Sequence, residues 1–245
     1  QAIAAGLAGS VTLGVGQFCT NPGLSFLPQG GEQMAFGKVL ADKISEMSMG
    51  PMLTDGIKAA YVQGTGELVE DPAVETLAEG SNSQEANAVN PMVFAVEFES
   101  FRRRPEWSHE IFGPSSLMVK TEGKEDLLEA AANLEGHFTA TVHGTEADLM
   151  EYQDLIRILE RKVGRVVING YPTGVEVCHA MTHGGPYPAT TAPQSSSVGT
   201  NAIKRFVRPI CFQDYPQGLL PAELKDENEQ GILRLVNGEY SREPL

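Results

Sequence analysis

Cys19 stands in the stretch VGQFCTNPG, residues 15–23, a thiol bracketed by Gly14, Gly16, Pro22 and Gly23. A cysteine at the end of an apolar helix, inside a glycine-punctuated loop, can face a cavity while nearby backbone N–H groups stay free for an anion. That is the arrangement a thiol nucleophile needs. The competing use is a small buried hydrophobe, which composition alone favours. A second group, Cys178, His179 and His183, gathers three potential metal ligands within six residues, the two histidines at i, i+4. It runs straight into Gly184, Gly185 and Pro186 with no fourth ligand or general base, so it reads as polar loop residues beside a pocket and no metal is expected. There is no G-x-S-x-G elbow. Nor is there a G-x-G-x-x-G fingerprint, because Cys19 and Val69 stand where the third glycine would be.

The rest of the chain bounds what such a thiol could serve. With 245 residues it falls in the range of one large domain or two small ones. Thirty-two acidic residues against 18 basic ones give a net charge of -14, and the one dense basic run, Arg102 to Arg104, is followed by Pro105 and Glu106. Clustered cations for nucleic acid are therefore missing. Three cysteines, Cys19, Cys178 and Cys211, form no disulfide framework and fit free thiols in a reducing, cytoplasmic compartment. Residues 1–31 carry no charge but are interrupted by Gly, Ser, Thr, Gln and Asn and lack a basic flank. They are expected to be a buried helix running into a buried loop, with no membrane partner.

Periodicity supplies the elements that must hold the thiol. It predicts a strand near 24–27, helices over 32–48 and 54–63, strands at 92–97 and 115–120, and a helix over 124–135 ended by Gly136. A strand over 137–143 follows, with Phe138, Ala140 and Val142 on one face. Thr145 and Asp148 then open a helix carrying Leu149, Tyr152, Ile156, Leu159 and Val163, and a buried strand occupies 164–169. This order predicts an α/β fold with a mostly parallel open sheet flanked by helices. After about Val207 the pattern turns Pro-rich and short-stranded, a tail suited to packing on a neighbour. No internal repeat is present.

GQFCTNPG resembles the catalytic-cysteine segment of the aldehyde dehydrogenase superfamily, and HEIFGP, residues 109–114, resembles that family's Glu-x-Phe-Gly-Pro motif, in the same order. GRVVINGYPTGVEVCHAMTHGGPYPATT and SVGTNAIKRFVRPICFQDYPQGLLP are similar to a narrower branch. That branch holds the NADP-preferring 2-oxoglutarate semialdehyde (2,5-dioxovalerate) dehydrogenases and their fatty-aldehyde relatives. The resemblance covers essentially the whole chain. It implies that Cys19 attacks an aldehyde, that the hemithioacetal loses hydride to a nicotinamide, and that water releases the acid from a thioester.

By the same resemblance the Cys19 N–H supplies half an oxyanion hole, Glu110 holds the nicotinamide ribose and Phe112 packs on the nicotinamide. Asn169 shapes the wall near the thiol, while Phe18 and parts of 171–186, His183 among them, line the substrate tunnel. Thr182 and His183 stand where the broad family commonly has Pro-Phe. The cofactor implied is NADP, with NAD as the other choice; the substrate is a small-molecule aldehyde, and the assembly is a homo-oligomer, dimer or tetramer. Residues 1–205 would be the catalytic domain and 206–245 the oligomerisation tail. The cofactor-binding domain, the general base and the second oxyanion donor would precede this chain, leaving it inactive alone. Arg205 and Arg208 are candidates to meet a substrate carboxylate, a surface role being the plainer one. Two other readings remain: a binding protein that reuses the fold, and a thiol hydrolase that Cys19 acylates without cofactor.

Overall fold

The chain divides after Arg205. In the computed structural model, which describes residues 1–174 and 176–245, Gln1–Arg205 forms one unit and Phe206–Leu245 another. The first unit runs α1 (Ala2–Thr12), β1 (Leu24–Pro28), α2 (Gly31–Ser45), β2 (Ser48–Met49), α3 (Asp55–Glu70), β3 (Glu75–Glu79) and β4 (Ser81–Asn82). It continues through β5 (Met92–Glu97), α4 (Phe98–Phe101), β6 (Ser115–Thr121), α5 (Lys124–Asn133), β7 (His137–Val142), α6 (Glu146–Glu151), α7 (Gln153–Leu159) and β8 (Val163–Ile168).

The main sheet has the order β1-β6-β5-β3, with β1 and β5 both parallel to β6 and β3 antiparallel at the edge. It is the mostly parallel, helix-flanked sheet that the alternation of strands and helices predicts. Strands covered on both faces must be apolar almost throughout, and β5 buries its first five residues in succession. Phe94, Val96, Leu117 and Val119 pack with Phe98, Phe101 and Trp107. Val93, on the other face, meets Ala4, Leu7, Ala8 and Val11 of α1 and Leu40 and Ile44 of α2. The small residues of α1 permit a close approach: a Cβ on Gly6 would collide with the ring of Tyr171, whose hydroxyl donates to the Ile3 carbonyl at 2.9 Å.

Several elements depart from expectation for identifiable reasons. α3 runs on to Glu70, with Gly64 under Ile111 and the Thr65 hydroxyl donating to the Tyr61 carbonyl at 2.9 Å. β3, with the sequence ETLAE, carries little intrinsic strand signal and exists because the edge of β5 pairs with it. The Thr145 capping box forms, but the helix it opens breaks at Tyr152 into α6 and α7. α5 ends at Asn133 without help from Gly136, whose missing Cβ instead admits the carbonyls of Pro186 and Tyr187. β7 and β8 pair with each other, in parallel and apart from the main sheet. The loop after α1 is not buried either: Cys19 is exposed, although α1 itself is largely covered.

The second unit is held chiefly by polar contacts. Its hairpin, β9 (Arg234–Val236) and β10 (Glu239–Ser241), turns at Asn237 and Gly238, both at positive φ as a two-residue hairpin loop requires. Buried Asn228 donates to the carbonyls of Ile232 and Arg242 at 3.0 and 2.7 Å, and Arg234 donates to that of Lys225 at 2.6 Å. Phe206, Val207 and Ile210 are exposed. Among the described residues, no helix is long and apolar enough to cross a membrane.

Leu40 is fully buried between α2 and the sheet, whereas Leu53 is 81% exposed. Leu40→Ala should lower the unfolding free energy by about 2–5 kcal/mol, and Leu53→Ala by no more than about 0.5 kcal/mol, as read from urea denaturation of the two variants side by side.

Candidate active site

The approach to Cys19 is a left-handed turn. Gly14, Val15 and Gly16 have φ of 58, 60 and 67°, and a β-branched residue there is strained. The constraint that holds this turn lies at Gly16, where a Cβ would collide with the backbone of Gly113 and Pro114. Asn21 Nδ2 locks the same contact by donating to the Gly113 carbonyl at 2.8 Å, and Gln17 Oε1 accepts from the Leu53 N–H at 2.9 Å. The two segments GQFCTNPG and HEIFGP are thus joined backbone to backbone.

Beyond that contact, Cys19 Sγ lies 3.1 Å from His183 Nε2. The imidazole is buried and stacked on Phe138, with ring centroids 4.6 Å apart and planes 7° from parallel. Its backbone is pinned as well: the His183 N–H donates to Ser196 Oγ at 2.9 Å, and its carbonyl accepts from the Ser197 N–H at 2.9 Å. Burial, and then the charge of Arg165, push the His183 pKa below the ordinary histidine value, so the ring is neutral near pH 7. In the tautomer protonated at Nδ1, Nε2 is free to accept the thiol proton.

The neighbouring ligand types do not converge. His179 Nδ1 pairs with Thr200 Oγ1 at 3.0 Å, and Cys178 is exposed. Among the described residues no three His, Cys, Asp or Glu side chains gather for a metal ion.

A cavity of about 960 Å³ within the first unit is bordered by Cys19, Glu110, Phe112 and Phe138, with β1 and β7 on its walls. Glu110 is exposed at the border of this cavity, and partial burial of its carboxyl holds it above the usual carboxylate range. Cys19, Glu110 and Phe112 therefore share one space, and His183 reaches the thiol from behind Phe138. Phe18 and Asn169 do not border it. The Phe18 ring lies over Gly14, while exposed Asn169 exchanges two 2.9 Å hydrogen bonds with the Gly144 backbone, joining the ends of β7 and β8. Arg205 and Arg208 are exposed. Three contributors escape sequence reasoning: Asn21 within a turn, Ser196 within a serine run, and Arg165. Only Arg165 left a signal there, as a cation inside the apolar strand GRVVI.

With this geometry in place, comparison with known proteins gives the class first. The fold is similar to that of the Bacillus cereus aldehyde dehydrogenase in its NAD+ complex, at a TM-score of 0.67 and 20% identity over 83% of this chain and 40% of that one. No protein-family model matches the chain. It is 44% identical over 238 residues to alpha-ketoglutaric semialdehyde dehydrogenase 2 of Azospirillum brasilense. It is 39% identical over 239 residues to an alpha-ketoglutaric semialdehyde dehydrogenase of Acinetobacter baylyi. Each match covers 97% of this chain and 45% of the relative, so the chain spans about half the length of the curated relatives it matches. The chain belongs to the aldehyde dehydrogenase superfamily.

Two outcomes follow from the site. His183→Ala should slow iodoacetamide alkylation of Cys19 at pH 7 by about tenfold, measured by peptide mass so that Cys178 and Cys211 are scored separately; an unchanged rate would leave the imidazole a packing role only. Burial also lowers the pKa of His137, His143 and His183, so the unfolded chain takes up protons more readily than the folded one. Their contribution to stability is present above the unfolded value of about 6.5 and is lost as pH falls through the lower folded values. The urea midpoint should accordingly drop between pH 7.5 and pH 5.5.

Proposed function

We propose that the protein carrying this chain oxidises 2-oxoglutarate semialdehyde to the dicarboxylic acid with NADP, through covalent intermediates on Cys19. The observation that carries the reading is the exposed thiol held 3.1 Å from a buried, neutral imidazole, beside a cavity that Glu110 and Phe112 also border. The activity named for its relatives supports the substrate.

The chain's own residues account for the acyl chemistry. His183 Nε2 takes the proton of Cys19, and the sulfur attacks the carbonyl carbon to give a hemithioacetal. Among the described residues the Cys19 N–H has no backbone partner and is available to the oxyanion. A nicotinamide held at Glu110 and Phe112 would supply the hydride acceptor for oxidation of the hemithioacetal to a thioester. Water then cleaves the thioester, releasing the carboxylic acid and returning the proton to sulfur. Glu110 fits the nucleotide: it stands exposed on the border of the cavity, where its carboxylate oxygens would accept from sugar hydroxyls. Phe112 offers a ring on the same wall.

The division of labour is part of the proposal. Phosphate binding, the general base for deacylation and the second oxyanion donor come from sequence outside these 245 residues. The tail over 206–245, with Phe206, Val207 and Ile210 exposed, serves a homo-oligomer, dimer or tetramer, in the cytoplasm.

NADP reduction on 2,5-dioxovalerate tests the reading. The full-length protein should be active and its Cys19→Ser variant at least about 10³-fold slower, while the 245-residue chain alone should be inactive. Reduction by the chain unaided would place the cofactor site within it and overturn the division of labour. A full-length protein that oxidises no aldehyde would overturn the dehydrogenase reading.

A further inference from the structure

β1 and β7 each leave one edge unpaired, and the same cavity runs past both. Among the described residues β1 pairs only with β6 and β7 only with β8, and every residue of β1 and of β7 borders the cavity. Five of the bordering side chains, Asn21, Ser25, Ser116, His137 and Thr141, hold a polar atom that is excluded from solvent and has no hydrogen-bond partner among the described residues. Ser116 is only 2% exposed. Buried polar groups are paired with few exceptions, so five orphans around one space mark it as the seat of an occupant that forms hydrogen bonds.

The two ends of the cavity say what runs through it. Cys19 and Glu110 border the end where the parallel strands start, since β1 begins at Leu24 and β6 at Ser115. Pro28, which closes β1, and His143, which follows β7, border the far end. Ile3 and Tyr171 border it there too, joined by the 2.9 Å bond from the tyrosine hydroxyl to the Ile3 carbonyl, and Ile3 lies in the first turn of α1. A strand laid parallel to β1 from the thiol end therefore finishes where α1 begins. From there α1 leads through the thiol loop into β1, which makes a βαβ unit, two neighbouring parallel strands joined by a helix on the face of the sheet. α1 already lies on that face, against Val93. An extended peptide is the occupant that matches: it offers backbone N–H and C=O groups at a strand's own repeat to two facing edges at once.

We infer that the cavity receives one extended segment of the longer protein, the roughly twelve residues immediately before Gln1, as a parallel strand between β1 and β7 that merges the two sheets into one. Such sequence is available in the relatives, of which this chain matches only 45%. Covered on both faces, the strand is rich in Val, Ile and Leu. It leaves the thiol end to the substrate. The inference shares with the proposed function the need for sequence before Gln1, but it does not need the dehydrogenase reaction.

Hydrogen exchange of the unaltered full-length protein, followed by peptide mass, is the first test. Amides of β1, of β7 and of the segment before Gln1 should each exchange at least about 10³-fold more slowly than unstructured chain. A segment that exchanges at the unstructured rate would overturn the inference without any variant having to fold. The second test introduces cysteines one at a time through that segment and pairs each with Ser25→Cys or Thr141→Cys. Neighbouring strands set Cα atoms within disulfide reach, so one stretch should form intramolecular disulfides with both, mapped by peptide mass. Bridges to neither, or bridges only between two copies of the protein, would overturn the inference. Bridges to both in a protein that oxidises no aldehyde would uphold the strand and sink the dehydrogenase reading instead.

Discussion

No side chain can stand between residues 16 and 113. The backbone of the turn before the thiol lies directly on the Gly113–Pro114 corner, and any Cβ at Gly16 would occupy the corner's own atoms. From that contact follow the left-handed run of Gly14, Val15 and Gly16, the Asn21 hydrogen bond that locks it, and the position of Cys19 beside Glu110 and Phe112. The strain held at Val15 is offset by packing on either side of it: α1 is anchored by Ala4, Ala8 and Val11 in one apolar cluster, and Gly113 lies under the ring of Tyr61.

Acting on the exposed thiol is a histidine with little freedom to move. Phe138 fixes the plane of the His183 ring, and Ser196 and Ser197 fix its backbone. The same burial that holds the ring makes it neutral, because desolvation penalises the charged form. A neutral ring can accept a proton; a charged one can only donate. Arg165 pushes in the same direction, since a second positive charge nearby is disfavoured.

Much of the fold was legible because burial on both faces writes itself as an unbroken apolar run. MVFAVE could be read as a strand on that ground, SLMVK as a second from its short apolar middle, and Thr145 with Asp148 as a cap signature, because these signals are local. Where the deciding partner is distant, local reading lost its hold. ETLAE becomes a strand through the free edge of β5, Gly136 is demanded by carbonyls fifty residues away at Pro186 and Tyr187, and the helix predicted to run unbroken from Thr145 splits at Tyr152.

For the site, the amino-acid sequence by itself determined the residue types and their order: a thiol among glycines, a Glu-x-Phe-Gly-Pro corner, and a histidine before a Gly-Gly turn. Through the family resemblance those motifs nominate Cys19, Glu110, Phe112 and His183, since a motif and its order are properties of a string. What only the tertiary structure decided is who touches whom. Cys19 and His183 are 164 positions apart, and a 3.1 Å contact across that separation arises only when strands, loops and stacked rings are assembled together. The same assembly occupied Asn169 with Gly144 and left the Arg165 Nε without a hydrogen-bond partner among the described residues, because burial and pairing are properties of neighbours in space, which no spacing along the chain encodes.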